Sequence, residues 1–210
     1  MSRVPILLLG AGGHARACID VIEQEGRFTV AGLVGLPDER GARVLGYPVL
    51  GTDADLAGLL GNYAHALITV GQIKTAEPRM RLFEVVQQSD CVMPVVVSPR
   101  AYVSPHATLG AGTIVMHGAV VNAAAVVGRN CIINSQALVE HDAVIADHCH
   151  ISTGAAINSG VHIGSATFVG SNCSVRQVVN IGERCLIGMG QVILADCEAG
   201  THMPPLKRSS

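Results

Sequence analysis

The densest group of ionisable side chains in the chain is Glu140-His141-Asp142, followed a few residues on by Asp147-His148-Cys149-His150. A histidine side chain titrates near neutrality, so His141 has the chemistry of a general base for an attacking amine or hydroxyl. A carboxylate next to it, as Asp142 stands in sequence, favours the imidazolium and so orients and strengthens such a base. The rival reading is an exposed histidine at an interface with no catalytic duty. His117, His141, His148, His150 and His162 also raise the question of zinc. A zinc site needs its ligands to converge at about 2.0–2.1 Å, and no spacing here brings three histidines together, so no metal is expected. His148 and His162 read as solvated surface residues, Glu140 and Asp147 as solvated carboxylates, and His117 has no assigned role.

A second group lies near the start. The run at 4–9 is apolar throughout, as in a strand buried on both faces of a parallel sheet. It leads into Gly10-Ala11-Gly12-Gly13-His14-Ala15, and an apolar-periodic helix follows over 15–24. A glycine turn opening a helix lets backbone N–H groups meet phosphate oxygens. A tight turn with no ligand is the alternative. A second strand, 29–34, ends in Leu33-Val34-Gly35, without the acid that would hold a ribose; Asp38 and Glu39 come a few residues late. A further strand at 67–70 ends at Gly71, a helix spans 76–88, and a short strand lies near 92–97. The alternation describes a small α/β domain with a Rossmann-like parallel sheet, suited to a nucleotide-linked small molecule better than to a dinucleotide.

The histidines belong to a different architecture. From Val97 through Val103, Leu109, Val115 and on to Ile187 and Ile193, every sixth residue is aliphatic without a slip. Four residues after each lies a second, mostly small register that includes Ala101, Ala107, Thr113, Cys131, Cys149, Cys173, Cys185 and Cys197. Six-residue repeats are the mark of a β-helix. Each hexad is a short strand and a corner, and three hexads make one coil. The aliphatic residue fills the prism and the small one sits where the wall turns. The position after each aliphatic is often Gly or Asn, as at Gly110, Asn122, Gly128 and Gly164, where a tight corner would call for positive φ. In this register Val139 and Ala143 point inward, so His141 faces out, and His150 next to Cys149 faces out as well. One prism offers only a flat wall, so a site at His141 requires a neighbouring copy, most simply a homotrimer with three equivalent clefts.

The 210 residues carry a formal net charge of −2 and no basic stripe, which argues against nucleic acid as a partner. Charged residues are only 14%, as suits a chain that buries surface in an oligomer. The apolar run at 6–9 is too short for a signal peptide or a membrane span. The cysteines of the small register read as buried free thiols, which places the protein in a reducing cytoplasm. Residues after Ala195 leave the hexad register, and Pro204-Pro205 and a polar end suggest a loose tail. The expected domains are 1–95, the α/β domain; 96–196, a left-handed parallel β-helix; and a C-terminal tail, 197–210.

These residues resemble a family: the left-handed β-helix acyltransferases of the sialic-acid O-acetyltransferase and nucleotide-amino-sugar N-acetyltransferase group. The resemblance is carried by the glycine turn with its His14, by Val70-Gly71, by Ile132-Ile133-Asn134 and by the Glu140-His141-Asp142…His150-Ile151 spacing. It implies an acetyl-CoA-dependent N-acetyltransferase acting by direct transfer on a nucleotide-linked amino sugar of the 4-amino-4,6-dideoxy type, for glycan biosynthesis. O-acetylation of sialic acid or another sugar is an alternative, and a non-catalytic trimeric scaffold another. By position it implies His141 as base with Asp142 beside it. His150, Ser171 and Met189 fall where acetyl-CoA is held, and Gly12, Gly13, His14, Gly71 and Asn134 where the acceptor is held. The chain departs from the family's pattern in lacking an acidic pair after strand two and a Gly-x-Pro-Ala segment after the last coil.

Overall fold

The computed structural model describes residues 3–206, which divide into two units. The first is the described chain up to Gly71 together with Glu77–Ser98; the second is Gln72–Ala76 together with the described chain from Pro99 on. The five residues Gln72–Ala76 fall inside the expected 1–95 domain but group with the second unit.

In the first unit β1 (Val4–Leu9) is the spine. Ile6, Leu7, Leu8 and Leu9 are wholly buried, as a strand covered on both faces must be. The helix α1 (Gly13–Glu25) buries Ala15, Cys18, Ile19 and Ile22, the i, i+3, i+4, i+7 spacing of one helical face. It stops at Gly26, whose φ of 81° is left-handed and whose N–H bonds to the Ile22 carbonyl at 3.1 Å. Next come β2 (Phe28–Gly35), β3 (Arg43–Val44), β4 (Tyr47–Thr52), α2 (Leu56–Leu60), β5 (Ala66–Ile68), α3 (Glu77–Gln87) and β6 (Val96–Val97). The sheet order is β3-β4-β2-β1-β5, parallel except for the β3–β4 hairpin. Neither that hairpin nor α2 was expected. The hairpin turns on Leu45-Gly46, both at positive φ (48° and 87°), a two-residue turn whose twist matches the strands. Its outer strand is only two residues long, too short to show an alternating pattern.

The second unit is a left-handed parallel β-helix of two-residue strands. One face stacks Tyr102–Val103, Val120–Val121, Leu138–Val139, Ala156–Ile157, Ser174–Val175 and Val192–Ile193. A second stacks Thr108–Leu109 through Asn180–Ile181, and the third carries Ile114–Val115, Ile132–Ile133, His150–Ile151, Phe168–Val169, Leu186–Ile187 and His202–Met203. From Val115 to Ile193 every residue of the aliphatic register is exposed by 3% or less. Each such side chain contributes about 1.5–3 kcal/mol, and the register cannot slip without forfeiting all of them. The small register is buried too, and its polar atoms are used. Thr113 and Thr167 donate to the carbonyls of Gly128 and Gly182 at 2.7 and 2.8 Å, and the Cys131 and Cys149 thiols donate to those of Ala146 and Gly164 at 3.2 and 3.1 Å.

Two expectations about this unit are corrected. The corner residue at positive φ lies three places after the aliphatic, not one: Ala124, Asn130, Gln136, Asp142 and His148 follow each other in sixes at φ between 53° and 62°. Glycines one place after the aliphatic answer a different need, the close stacking of coils. A Cβ on Gly164 would lie 2.4 Å from the backbone nitrogen of Glu183, one coil on. The chain beyond Ala195 is also not loose through its described part. It leaves the six-residue spacing but keeps pairing: Cys197 bridges to Ile181, His202–Met203 pairs with Leu186–Ile187, and the Leu206 N–H reaches the Met189 carbonyl at 3.2 Å. Backbone groups of the last full coil need partners, and this stretch supplies them. Lys207 to Ser210, the rest of that expected tail, lie outside the described residues. No helix among the described residues is long and apolar enough to cross a membrane.

Candidate active site

His141 and Asp142 occupy the corner after Val139, and the left-handed φ of Asp142 (59°) turns its side chain back along the ring beside it. The two meet at 2.7 Å, His141 Nδ1 to Asp142 Oδ2. An ionised carboxylate only accepts, so Nδ1 carries the proton and Nε2 carries the lone pair. Nε2 in turn receives the Ser159 hydroxyl at 2.9 Å. Both His141 and Asp142 are exposed in the single chain. Glu140 is not merely solvated: its Oε2 accepts the Asn122 side-chain amide at 2.8 Å and the His141 N–H at 3.2 Å. Asp147 is not merely solvated either. Burial would raise its carboxyl, but the hydrogen bonds from the Arg129 side chain (2.6 and 3.0 Å) and backbone (2.7 Å) outweigh that and hold it below its ordinary value.

His150 points off the prism as expected, yet it is buried rather than exposed. The Gln72–Ala76 segment covers it: His150 Nδ1 donates to the Gln72 carbonyl at 2.7 Å. Phe168, one coil on, meets the ring edge-on at 5.2 Å between centroids. Nε2 receives the Asn134 amide at 3.0 Å, so the structure brings Asn134 and His150 together. Ser171 is half-buried and shares a hydrogen bond with the Ser152 hydroxyl at 3.0 Å, while Met189 is 56% exposed.

In the first unit Gly12, Gly13, His14 and Gly71 lie at the carboxyl ends of β1 and β5. Gly10 is demanded by the backbone: its φ is 125°, and a Cβ there would lie 2.7 Å from the Val70 nitrogen. Gly12 and Gly13 are different, since a Cβ at either would meet nothing within 4 Å. The start of α1 is thus open to an approaching group, and Gly12 offers no side-chain cap of its own. A Cβ on Gly71 would touch His14 at 3.3 Å, which places those two side by side. Burial pushes the Cys18 thiol up to about 12, so it is neutral, and its sulfur lies 3.4 Å from His14 Nε2. No acid stands directly after β2. A single 3₁₀ turn, Pro37–Glu39, folds Glu39 back so that its carboxylate accepts the Leu36 N–H at 2.8 Å. A Cβ on Gly35 would meet both that carboxylate and Ala11 of the glycine turn.

The PglD N-terminal domain family model matches residues 5–85. Several solved structures match almost the whole chain. A variant of perosamine N-acetyltransferase from Caulobacter crescentus, in complex with CoA and GDP-perosamine, is 30% identical over 94% of this chain and 92% of that one, with a TM-score of 0.89. The acetyltransferase domain of PglB from Neisseria gonorrhoeae is 30% identical over 95% and 96%, with a TM-score of 0.87. The chain belongs to the hexapeptide-repeat β-helix acetyltransferases. WeeI from Acinetobacter baumannii, 19% identical at a TM-score of 0.84, shares the fold. No curated protein matches the chain in sequence.

Two residues of this acetyltransferase stand against the named groups without having been singled out in the sequence, Ser159 and Gln72. Ser159 had a signal, since residues eighteen apart stack in adjacent coils and it lies one coil above His141. Gln72 had none, because nothing in the repeat indicates which outside segment lies on the wall. Two of the buried cysteine thiols are held in the neutral form. A hydrogen bond with Cys131 together with burial holds the Cys149 thiol well above its ordinary value, and burial does the same for Cys173. Among the described residues no three His, Cys, Asp or Glu side chains are arranged to hold a metal.

Proposed function

We propose that the enzyme transfers the acetyl group of acetyl-CoA to the amine of a nucleotide-linked amino sugar, of the 4-amino-4,6-dideoxy type, with His141 as general base. The observation that carries this reading is the Asp142–His141 pair. Asp142 accepts a hydrogen bond from the Nδ1–H and leaves the Nε2 lone pair facing outward at a corner of the prism. The amine nitrogen attacks the thioester carbonyl and His141 Nε2 takes the proton it sheds. The tetrahedral oxyanion collapses, the C–S bond breaks, and the CoA thiolate leaves. Asp142 stabilises the imidazolium formed on the way. The activity of the Caulobacter enzyme and the ligands in its structure support the amine acceptor and the nucleotide.

In this reading Gly12 and Gly13 offer the N–H groups of α1 to the diphosphate, His14 and Gly71 border it, and Glu39 stands where an acid can accept from a ribose hydroxyl. His150, Ser171 and Met189 line the path of acetyl-CoA, and Asn134 reaches the reacting groups. The homotrimer is supported by the outward residues of the first β-helix face: Tyr102, Val120, Leu138, Ala156 and Val192 are apolar, with only Ser174 between them, and Tyr102 and Val192 are 56% and 61% exposed. An apolar wall of this kind marks an interface, and His141 stands at its edge, three residues after Leu138. The test is release of free thiol from acetyl-CoA with GDP- and UDP-linked 4-amino-4,6-dideoxy sugars beside hydroxyl acceptors including sialic acid. Turnover with an amine acceptor is expected; turnover with hydroxyl acceptors alone would overturn the reading.

A further inference from the structure

Resting on the reading that His150 touches acetyl-CoA, we infer that Gln72 is the residue that positions it. A carbonyl oxygen can only accept, so the 2.7 Å contact between His150 Nδ1 and the Gln72 carbonyl puts the ring proton on Nδ1. Nε2 is then an acceptor, and the Asn134 amide donates to it at 3.0 Å. Asn134 cannot turn its amide around, because its Oδ1 already accepts the Ser135 N–H at 2.8 Å. One chain of donors thus runs from Asn134 through His150 to Gln72, and its direction is set at the Gln72 end. The second N–H of the Asn134 amide is what this chain presents to a thioester carbonyl; neutral His150 presents none.

The carbonyl can only serve if the segment bearing it is fixed, and the side chain of Gln72 fixes it. Gln72 is 2% exposed, and its Nε2 donates to the carbonyl of Ala166 on the β-helix at 3.3 Å. Ile73, Lys74 and Thr75 are exposed, while Gln72 and Ala76 at the two ends of the segment are buried. The same amide buries its Oε1 with no hydrogen-bond partner among the described residues. An unpaired buried carbonyl oxygen is costly, and a methionine of similar length would avoid that cost. A residue present only to pack would not carry it, so the amide is retained for what its N–H holds in place.

Gln72→Met keeps the length and apolar stem but removes the tether. The expected result is an unchanged melting temperature and a KM for acetyl-CoA raised about fivefold, the loss of one ordinary hydrogen bond. The KM for the amino sugar stays within about twofold of wild type. Nitrogen-15 NMR of the histidine rings in the full chain supplies the decisive signature. Wild-type His150 should be a pure Nδ1–H tautomer, and Gln72→Met should show a mixture. An Nε2–H tautomer in the wild type, or an unchanged tautomer and unchanged KM in Gln72→Met, overturns the inference. His150→Ala separates the two readings: if it leaves the KM for acetyl-CoA unchanged, the acetyl-CoA contact is wrong, while the NMR result still decides the role of Gln72. If Gln72→Met does not fold, the wild-type tautomer decides alone.

Discussion

Removing the charge of Asp142 while keeping its shape isolates what the carboxylate does for the base. In Asp142→Asn the side-chain oxygen can still accept the His141 Nδ1–H, so the ring keeps its orientation and loses only the charge. The groups are 2.7 Å apart and both more than half exposed in the single chain, so the solvent value is the least the attraction can be. At that distance two unit charges in water attract by about 1.5 kcal/mol, or roughly a factor of ten in the stability of the imidazolium that forms as the amine attacks. Asp142→Asn should therefore lower kcat/KM at least about tenfold, with the KM for acetyl-CoA unchanged, while His141→Ala should lower it by about 10²–10⁴. Thiol release at saturating acetyl-CoA and limiting acceptor measures both. In the double variant the Asn substitution should add nothing, because the charge it stabilises never forms. Near wild-type turnover in His141→Ala would falsify the general-base assignment outright. A loss in Asp142→Asn that persists on the His141→Ala background would show that Asp142 acts on something other than the base.

Three further outcomes follow from contacts elsewhere. Asp147→Asn should cost about 1 kcal/mol at pH 7. The native carboxyl lies below its unfolded value, so its contribution is present above about pH 4 and fades as pH falls through the native value; the melting temperatures of variant and wild type should converge in strong acid. Gly164→Ala drives a Cβ into the next coil and should cost about 1–3 kcal/mol or more, whereas Gly12→Ala, with open space around it, should leave the melting temperature alone and raise the KM for the nucleotide sugar. Ser159→Ala should keep kcat within about threefold, since the hydroxyl is one ordinary hydrogen-bond partner of Nε2; loss of turnover together with a wild-type burst of CoA in the absence of acceptor would instead make Ser159 an acyl carrier.

What could be read from the chain depended on the range of the interaction. The β-helix was legible because its repeat is local and unbroken, and the inward or outward sense of His141 followed from the positions of Val139 and Ala143 alone. The Asp142 contact was legible for the same reason, since the two residues are neighbours. The left-handed corners were misplaced because Ala124, Gln136 and Val178 occupy them as readily as Gly154 and Gly160. Residue type is a weak signal when the stacked coils hold every corner in the same conformation. The burial of His150 was not legible at all. It depends on a five-residue segment far upstream whose exposed Ile73-Lys74-Thr75 carry no repeat and no motif. Glu39 was read as too late for strand two because a count along the chain takes no account of a 3₁₀ turn that folds it back.

The stacking of coils also sets how the triplet Glu140-His141-Asp142 is held. Outward residues of a β-helix look up and down at their counterparts eighteen residues away, and the structure uses that spacing repeatedly: Asn122 with Glu140, Arg129 with Asp147, Asn130 with His148, His141 with Ser159. Glu140 is held from the coil below and His141 from the coil above, while Asp142 reaches the imidazole from within the triplet's own corner. The orientation of the base is therefore a property of three successive coils. The same three residues placed at the corner after Ile157 would keep the Asp contact, but they would meet Arg176 and Gln177 above them in place of Asn158 and Ser159. The local motif would survive the move and the aim of Nε2 would not.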